Sequence, residues 1–239
     1  WADMENPYIT YDNNFIESVW WALKQIWDKG LLYKGFKIVP YCPRCGTPLS
    51  AQEVAQGYKD VKERSAIVRF KLVDEDAYFL AWTTTPWTLP SNIGLCVNPE
   101  ETYAKVKAAD GYVYYMAEAL LDTVLGRLAD EEAGTPAYEV LETYKGKDLE
   151  YKEYEPLYPY AVGIVKKKCF YVTCDDYVTT EDGTGIVHMA PAFGEDDSRV
   201  CHKYDIDFVQ FVDSKGCLTK ETDWEGVFVK KADPLILKD

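Results

Sequence analysis

Histidine is scarce. The 239 residues include only His188 and His202, so acid–base chemistry near neutral pH has few side chains to run on. Long apolar runs are missing too. No stretch approaches the roughly 18 apolar residues of a membrane-spanning helix, and no basic, apolar, small-residue leader opens the chain. The expectation is a soluble cytoplasmic protein with no signal peptide and no membrane contact. Positive charge is in deficit: 26 Lys and Arg against 40 Asp and Glu give a net charge of −14. That argues against a broad phosphate-binding surface, because nucleic-acid affinity is mostly phosphate neutralisation. It leaves room for a site that grips only a strand end, helped by runs such as Lys166-Lys167-Lys168 and Lys230-Lys231. Cysteine, at seven residues, is too sparse and odd in number for a disulfide framework, which points to reduced thiols. Repeats and low-complexity tracts are absent. The first residue is Trp1, so a piece of a longer protein is expected.

What is present is apolar and aromatic, 47% and 15% of residues, with 19 Tyr and 7 Trp, enough for a real core. From Asp12 the pattern is helical. Phe15, Ile16, Val19, Trp20, Leu23, Ile26 and Trp27 share one face, and Gly30 is placed to stop the helix. This reads as an amphipathic packing helix. Tyr41-Cys42-Pro43-Arg44-Cys45-Gly46 is a single Cys-x-x-Cys knuckle. Two thiolates at that spacing can chelate zinc, but a closed structural site needs four ligands. No other cysteines form a second such pair, so Cys42 and Cys45 are expected to be half a site with its partner ligands outside this chain, ahead of a complete site within it.

From Ser65 the text turns β-rich. Short runs of β-branched and aromatic residues bounded by turn residues lie at 65–72, 77–82, 94–97, 103–107, 111–115, 138–143, 161–165, 170–172, 185–188 and 208–212. One helix is expected at 117–129, with Leu120, Leu121, Val124, Leu125 and Leu128 as its buried stripe. The fold class predicted is mainly β with some α, a closed or nearly closed β-barrel with flanking helices.

Two stretches carry chemistry. Trp82-Thr83-Thr84-Thr85-Pro86-Trp87-Thr88-Leu89-Pro90-Ser91-Asn92 runs from an apolar strand into a proline-stiffened loop. It displays hydroxyls, indoles and an amide, a set suited to a small polar ligand against an aromatic wall. A β-edge with a turn is the plainer alternative. The second stretch, Asp182–Asp197, is a glycine turn, a strand ending in His188, a stop at Pro191, and an acidic helix start at Glu195-Asp196-Asp197. Acidic residues there ordinarily complement the helix dipole, and a strand-end histidine is ordinarily a hydrogen-bonder. Two further readings stay open: a Cys–His hydrolase using Cys201 or Cys174 with His188 or His202, and a non-catalytic binding module with a zinc knuckle at Cys42 and Cys45.

Taken together, Trp82–Asn92 and Gly183–Asp197 closely resemble the editing domain inserted into the catalytic domain of isoleucyl-tRNA synthetases, class I aminoacyl-tRNA synthetases. The resemblance covers nearly the whole chain. Met4-Glu5-Asn6-Pro7-Tyr8 and the Trp20-Trp21 helix look like the catalytic-domain edge leading into the insertion, and Cys42-Pro43-Arg44-Cys45 looks like the first half of a split zinc knuckle. The related valyl and leucyl domains are expected to carry Thr-Arg-Pro where this chain has Thr85-Pro86-Trp87. The family's His-x-Gly-His and Lys-Met-Ser-Lys-Ser motifs for ATP are not in this sequence, so ATP-dependent activation of isoleucine is not expected of it.

The resemblance implies a division at residue 62, with 1–62 a catalytic-domain edge and linker and 63–239 the editing domain. It implies hydrolysis of valine misattached to tRNA(Ile), with isoleucine excluded by size and no cofactor needed. One methylene in an apolar pocket is worth only about 1–3 kcal/mol, and isoleucine against valine is a standard case behind that figure. Implied roles are Asp197 for the α-ammonium, where its place in a first helical turn should keep it ionised, and His188 as the wall excluding the extra methyl. Thr83, Thr84 and Thr85 would surround the ester and attacking water, Asn92 would add a polar contact, and Trp82 would pack the side chain or terminal adenine. The implied partners are the 3′ end of tRNA(Ile) and the rest of the synthetase chain. A monomer is expected, with zinc only in the full-length enzyme.

Overall fold

The computed structural model describes residues 3–129 and 136–239. Contacts divide the chain into two compact units, Trp1–Lys37 and Ile38–Asp239.

The first unit is built on helix α1 (Asn13–Asp28). Asp12 caps it by accepting the Asn14 N–H at 2.9 Å. The end is a Schellman turn: Gly30, at φ +69, donates to the Trp27 carbonyl, and Leu31 donates back to Ile26. Among the described residues α1 buries none of its side chains, and Trp20 and Trp27 are more than 60% exposed. The apolar stripe is where the periodicity put it, and within this unit Tyr8 meets Phe15 edge to face at 5.3 Å.

The second unit opens with the knuckle, a hairpin of β1 (Tyr41–Cys42) and β2 (Thr47–Pro48) that places Cys42 at the end of β1 and Cys45 in the turn. It docks through Tyr41, whose hydroxyl donates to the Ser214 carbonyl, and through Pro43, which lies over Gly216. After a short helix α2 (Ala51–Ala55), closed by a Ser50/Glu53 capping box, come β3 (Ala66–Lys71), β4 (Tyr78–Thr83), β5 (Gly94–Val97), β6 (Thr102–Ala108) and β7 (Val113–Ala117). Helix α3 (Leu121–Leu125) and β8 (Tyr138–Lys145) follow, then β9 (Val172–Cys174), β10 (Ile186–Met189), α4 (Glu195–Lys203) and α5 (Val229–Ile236).

The eight strands from β3 to β10 form one mixed sheet. Strand β4 is its hub. One edge pairs antiparallel with β3 along its whole length; the other is shared in tandem, Tyr78 and Phe79 taking β7 and Trp82 taking β10. One arm continues β7-β6-β8 and the other β10-β5-β9. This division curls the sheet into a half-barrel with flanking helices, so the barrel-like expectation is met without closure. Its main core gathers Phe70, Phe79, Leu95, Tyr103, Met116 and Ile186, while a second cluster, including Ile93, Met189, Val200, Cys201 and Phe211, seats α4.

Three expected elements differ. Residues 161–165 are not a strand: Pro159 starts a 3-10 turn through Ala161, and the chain turns on through Gly163. Residues 208–212 keep the strand alternation, with Val209 and Phe211 buried, but have only the single bridge from Val212 to Leu218. The helix over 117–129 is broken into two 3-10 turns around the five-residue α3, with Gly126 at its end.

A polar staple closes one end of the sheet. Glu75, in the β3–β4 turn, accepts from Lys105 at 2.6 Å, Lys152 at 3.1 Å and the Tyr115 hydroxyl at 2.8 Å. Burial raises its pKa, but these donors outweigh it and hold the carboxyl at about 2, against 4.5 unfolded. A depressed carboxyl stabilises the fold above its unfolded pKa, and the contribution is lost as pH falls from 4.5 through about 2. The shift corresponds to on the order of 3 kcal/mol. Glu75→Gln is therefore expected to lower the urea midpoint at pH 7 and flatten acid destabilisation in that window; an unchanged acid profile would rule the staple out.

Candidate active site

The two marked stretches meet at one place on the sheet. Strand β4 delivers Thr83 to its end, and the chain then winds into a 3-10 turn over Pro86–Ser91. Pro86 suits the first position, where no N–H is needed. Thr83 folds its hydroxyl back to accept the Thr85 N–H at 3.1 Å. The i, i+3 spacing of the turn brings Thr88 under Thr85, where the Thr88 hydroxyl donates to the Thr85 carbonyl at 2.8 Å. From α5, Asp233 accepts the Trp87 N–H at 2.9 Å and caps the turn from behind.

Strand β10 lies against both β4 and β5, so it brings His188 across from the loop. His188 is buried. Its Nε2 is 2.9 Å from Thr88 Oγ1, and its Nδ1 is 3.5 Å from Asn92 Nδ2. With the Thr88 proton given to a carbonyl, its oxygen is free to accept, an arrangement that suits a ring protonated at Nε2. Asn92 also donates to the Gly94 carbonyl at 2.9 Å and accepts from the Tyr154 hydroxyl at 2.7 Å. Burial lowers the His188 pKa to about 4, so the ring is neutral at physiological pH.

Asp197 sits in the first turn of α4, two residues before Arg199, which forks onto buried Asp175 at 2.8 and 2.9 Å and clamps the helix to the end of β9. The Asp197 carboxylate bends back to accept the Ala190 N–H at 3.0 Å and the Tyr177 hydroxyl at 3.3 Å. Gly194 makes the room: a Cβ there would lie 2.8 Å from Asp197 Cγ and Oδ2. Burial nevertheless raises the Asp197 pKa above its ordinary value, outweighing the Ala190 N–H and Tyr177 hydroxyl. The helix start alone does not hold this carboxyl down.

Of the residues singled out from sequence, Thr83, Thr85, Asn92 and His188 lie in one hydrogen-bonded group, and Asp197 is tied to the backbone two residues past His188. Thr84 is exposed. Trp82 is half-buried with its ring against Gly183, where a Cβ would come within 3.0 Å. Thr88, Tyr154, Tyr177 and Gly194 complete the arrangement without having been assigned roles. Thr88 had a local signal, its i+3 spacing from Thr85; the tyrosines had none. Trp87 and Phe193 join the two stretches edge to face at 4.8 Å.

The thiols are arranged otherwise. Burial pushes Cys174 up to about 12 and Cys201 higher still, the reverse of what a thiolate nucleophile needs. At the knuckle, the Cys45 N–H lies 3.3 Å from the Cys42 sulfur and holds that thiol below its ordinary value. Among the described residues no group of three or more His, Cys, Asp or Glu stands ready to hold a metal, and no helix is long and apolar enough to cross a membrane.

The fold has solved counterparts. The half-barrel is that of synthetase editing domains: it is similar to the crystal structure of GlLeuRS-CP1 (13% identity, TM-score 0.55, covering 73% of this chain and 93% of that one). It is also similar to the P. knowlesi cytosolic leucyl-tRNA synthetase editing domain (14%, TM-score 0.54, 77% and 95%). The chain belongs to the class I tRNA synthetases (I, L, M and V), whose family model matches residues 1–219. Isoleucine–tRNA ligase of Clostridium acetobutylicum is 55% identical over all of this chain, which covers 22% of that protein. The Thermus thermophilus enzyme is 47% identical with the same coverage, and the mouse cytoplasmic enzyme is 46% identical over the whole chain and 19% of its own length. The chain thus spans about a fifth of the curated relatives it matches.

Proposed function

We propose that this chain is the editing part of an isoleucine–tRNA ligase and hydrolyses the ester of valine misattached to tRNA(Ile). The observation that carries the reading is the meeting of the threonine turn with a neutral, doubly anchored His188, two residues before the backbone N–H that a half-buried carboxylate accepts, on a half-barrel like those of editing domains.

Each group fits a task. Asp197, held by one N–H and one hydroxyl, has the charge to receive the α-ammonium. A bound cation would offset the burial that raises its pKa. His188, with both ring nitrogens engaged, is a rigid wall against the extra methyl of isoleucine rather than a base. The hydroxyls and backbone of Thr83, Thr84 and Thr85 orient the ester and a water. As that water's oxygen bonds to the ester carbon a tetrahedral oxyanion forms; its collapse breaks the bond to the ribose oxygen, and the proton lost by the water ends on that oxygen, releasing the ribose hydroxyl and the amino acid. No side-chain nucleophile is required, because positioning and electrostatic help suffice for a reactive ester. Asn92 holds His188, and Trp82 offers an aromatic face to the side chain or the terminal adenine.

The partners in this reading are the single-stranded 3′ end of tRNA(Ile) and the remainder of the synthetase chain, with the acidic bulk turned away from RNA. Residues 1–62 would be the catalytic-domain edge and linker and 63–239 the editing domain. The protein would act as a monomer, in the cytoplasm like the mouse relative. Editing needs no cofactor. Cys42 and Cys45 would be half of a structural zinc site completed by ligands outside this chain; bound zinc would supply folding energy there.

The test is hydrolysis of valyl-tRNA(Ile) and isoleucyl-tRNA(Ile) by this chain. Release of valine with isoleucine spared is expected, alongside weak, salt-sensitive tRNA binding. Equal cleavage of both esters would remove His188 as the size gate. Binding without cleavage of either would make the chain a recognition module dependent on its parent enzyme.

A further inference from the structure

Tyr154 is buried, its ring set edge-on to Phe70 at 5.3 Å and Phe170 at 6.2 Å. A hydroxyl so placed needs a partner, and it has one: it donates to Asn92 Oδ1 at 2.7 Å. We propose that Tyr154 is a positioning residue for the candidate site, locking the Asn92 amide and through it holding the His188 ring as the neutral Nε2–H tautomer. Its consequence for catalysis rests on the editing reading; the proton arrangement does not.

The argument is one of donors and acceptors. A side-chain amide has two orientations of almost equal shape. The Gly94 carbonyl can only accept, so the Asn92 nitrogen faces it at 2.9 Å, and Oδ1 is left needing a donor, which Tyr154 supplies. The second amide proton then points to His188 Nδ1, 3.5 Å away, which must present a lone pair. Across the ring, Nε2 faces a Thr88 oxygen whose proton is committed to the Thr85 carbonyl. Both sides of the imidazole thus select one tautomer, and a second proton would set N–H against N–H. Burial of the ring acts in the same direction. Removing the Tyr154 hydroxyl leaves Oδ1 buried without a donor and the amide held only through its nitrogen, at the Gly94 carbonyl, so its grip on the Nδ1 side of the ring loosens and Thr88 alone favours Nε2–H. This is the orienting task that an outer partner performs for a functional histidine.

The experiment uses the chain with 15N-labelled histidine, reading the protonation of both His188 ring nitrogens by NMR beside the kinetics of valyl-tRNA(Ile) hydrolysis. Tyr154→Phe keeps the ring packing and deletes only the donor. The parent should be Nε2–H alone. The variant should show mixed tautomers and lose roughly 10-fold in kcat with KM unchanged, a split that general destabilisation would not produce. Should Tyr154→Phe fail to fold, Asn92→Asp reads the same coupling, because a carboxylate facing Nδ1 draws the proton there and inverts the tautomer. A parent that is not Nε2–H, or a Tyr154→Phe variant with the parent's tautomer and kcat, overturns the proposal. A parent with the expected tautomer but no hydrolysis supports the lock and removes the editing reading, so the two failures are distinguishable.

Discussion

Asp197→Asn is expected to cut valyl-ester hydrolysis by roughly 10²–10³-fold, the scale of losing one partner of a buried charge pair, while raising the stability of the fold. The two effects share a cause. Burial raises the Asp197 pKa above its unfolded value, and the Ala190 N–H and Tyr177 hydroxyl recover only part of that. For a carboxyl whose folded pKa is raised, protonation favours the native state. Ionisation at neutral pH therefore costs stability, and the cost is relieved as pH falls through the raised value toward 3.8. Asparagine keeps an acceptor for Ala190 and sheds the charge. Urea unfolding should show a higher midpoint at pH 7, and single-turnover deacylation should show the loss. A lower midpoint with hydrolysis intact would contradict both halves. Gly194→Ala separates position from charge: its methyl would lie 2.8 Å from the carboxylate, which must swing out of its seat. Hydrolysis should fall with no gain in stability.

That trade-off also shows why the site was only half legible in the sequence. The residue types were visible: hydroxyls, an amide, one strand-end histidine and an acidic helix start. The role implied for Asp197 took its place in a first helical turn as enough to keep it ionised. Its burial is tertiary, created by Tyr177, by Gly194 and by Arg199 clamping α4 to Asp175. His188 and Asn92 are 96 residues apart, and only the pairing of β10 with β5 brings them together. Periodicity alone could not supply that register, and the resemblance to a known family joined the two stretches in its place. Tyr154, 62 residues from Asn92, carried no local signal.

The fold was legible where one segment decides its own state. Helix α1 follows from its apolar stripe and the Gly30 stop, and β3 through β8 follow from short runs of β-branched and aromatic residues bounded by turns. It was illegible where neighbours decide. Residues 208–212 alternate like a strand but find only one bridged partner. Helix α5 hid behind Lys230-Lys231 and Pro234, yet it packs on the threonine turn and supplies Asp233 to the Trp87 N–H.

Gly185→Ala is expected to cost roughly 2–5 kcal/mol, about 1–2 from forcing a side chain into left-handed backbone and 1–3 from overpacking. Gly185 has φ +72, and a Cβ there would lie 2.4 Å from the Ala117 Cβ at the end of β7. The turn has little freedom to yield. The Thr184 carbonyl accepts the Ala117 N–H at 2.9 Å, and the Gly185 carbonyl accepts the Tyr103 hydroxyl at 2.7 Å. Because β10 starts at the next residue, any accommodation moves His188 against Thr88, and hydrolysis should fall with stability. Gly126→Ala is the matched control: nothing lies within 4 Å of its Cβ position and its φ is −52, so urea unfolding should find it neutral or slightly stabilised. If Gly185→Ala unfolded within a few tenths of a kcal/mol of the parent, the turn would be absorbing the methyl. Such slack would mean that β10 is held by its strand partners alone, and the position of His188 would be a property of the sheet rather than of the glycine turn.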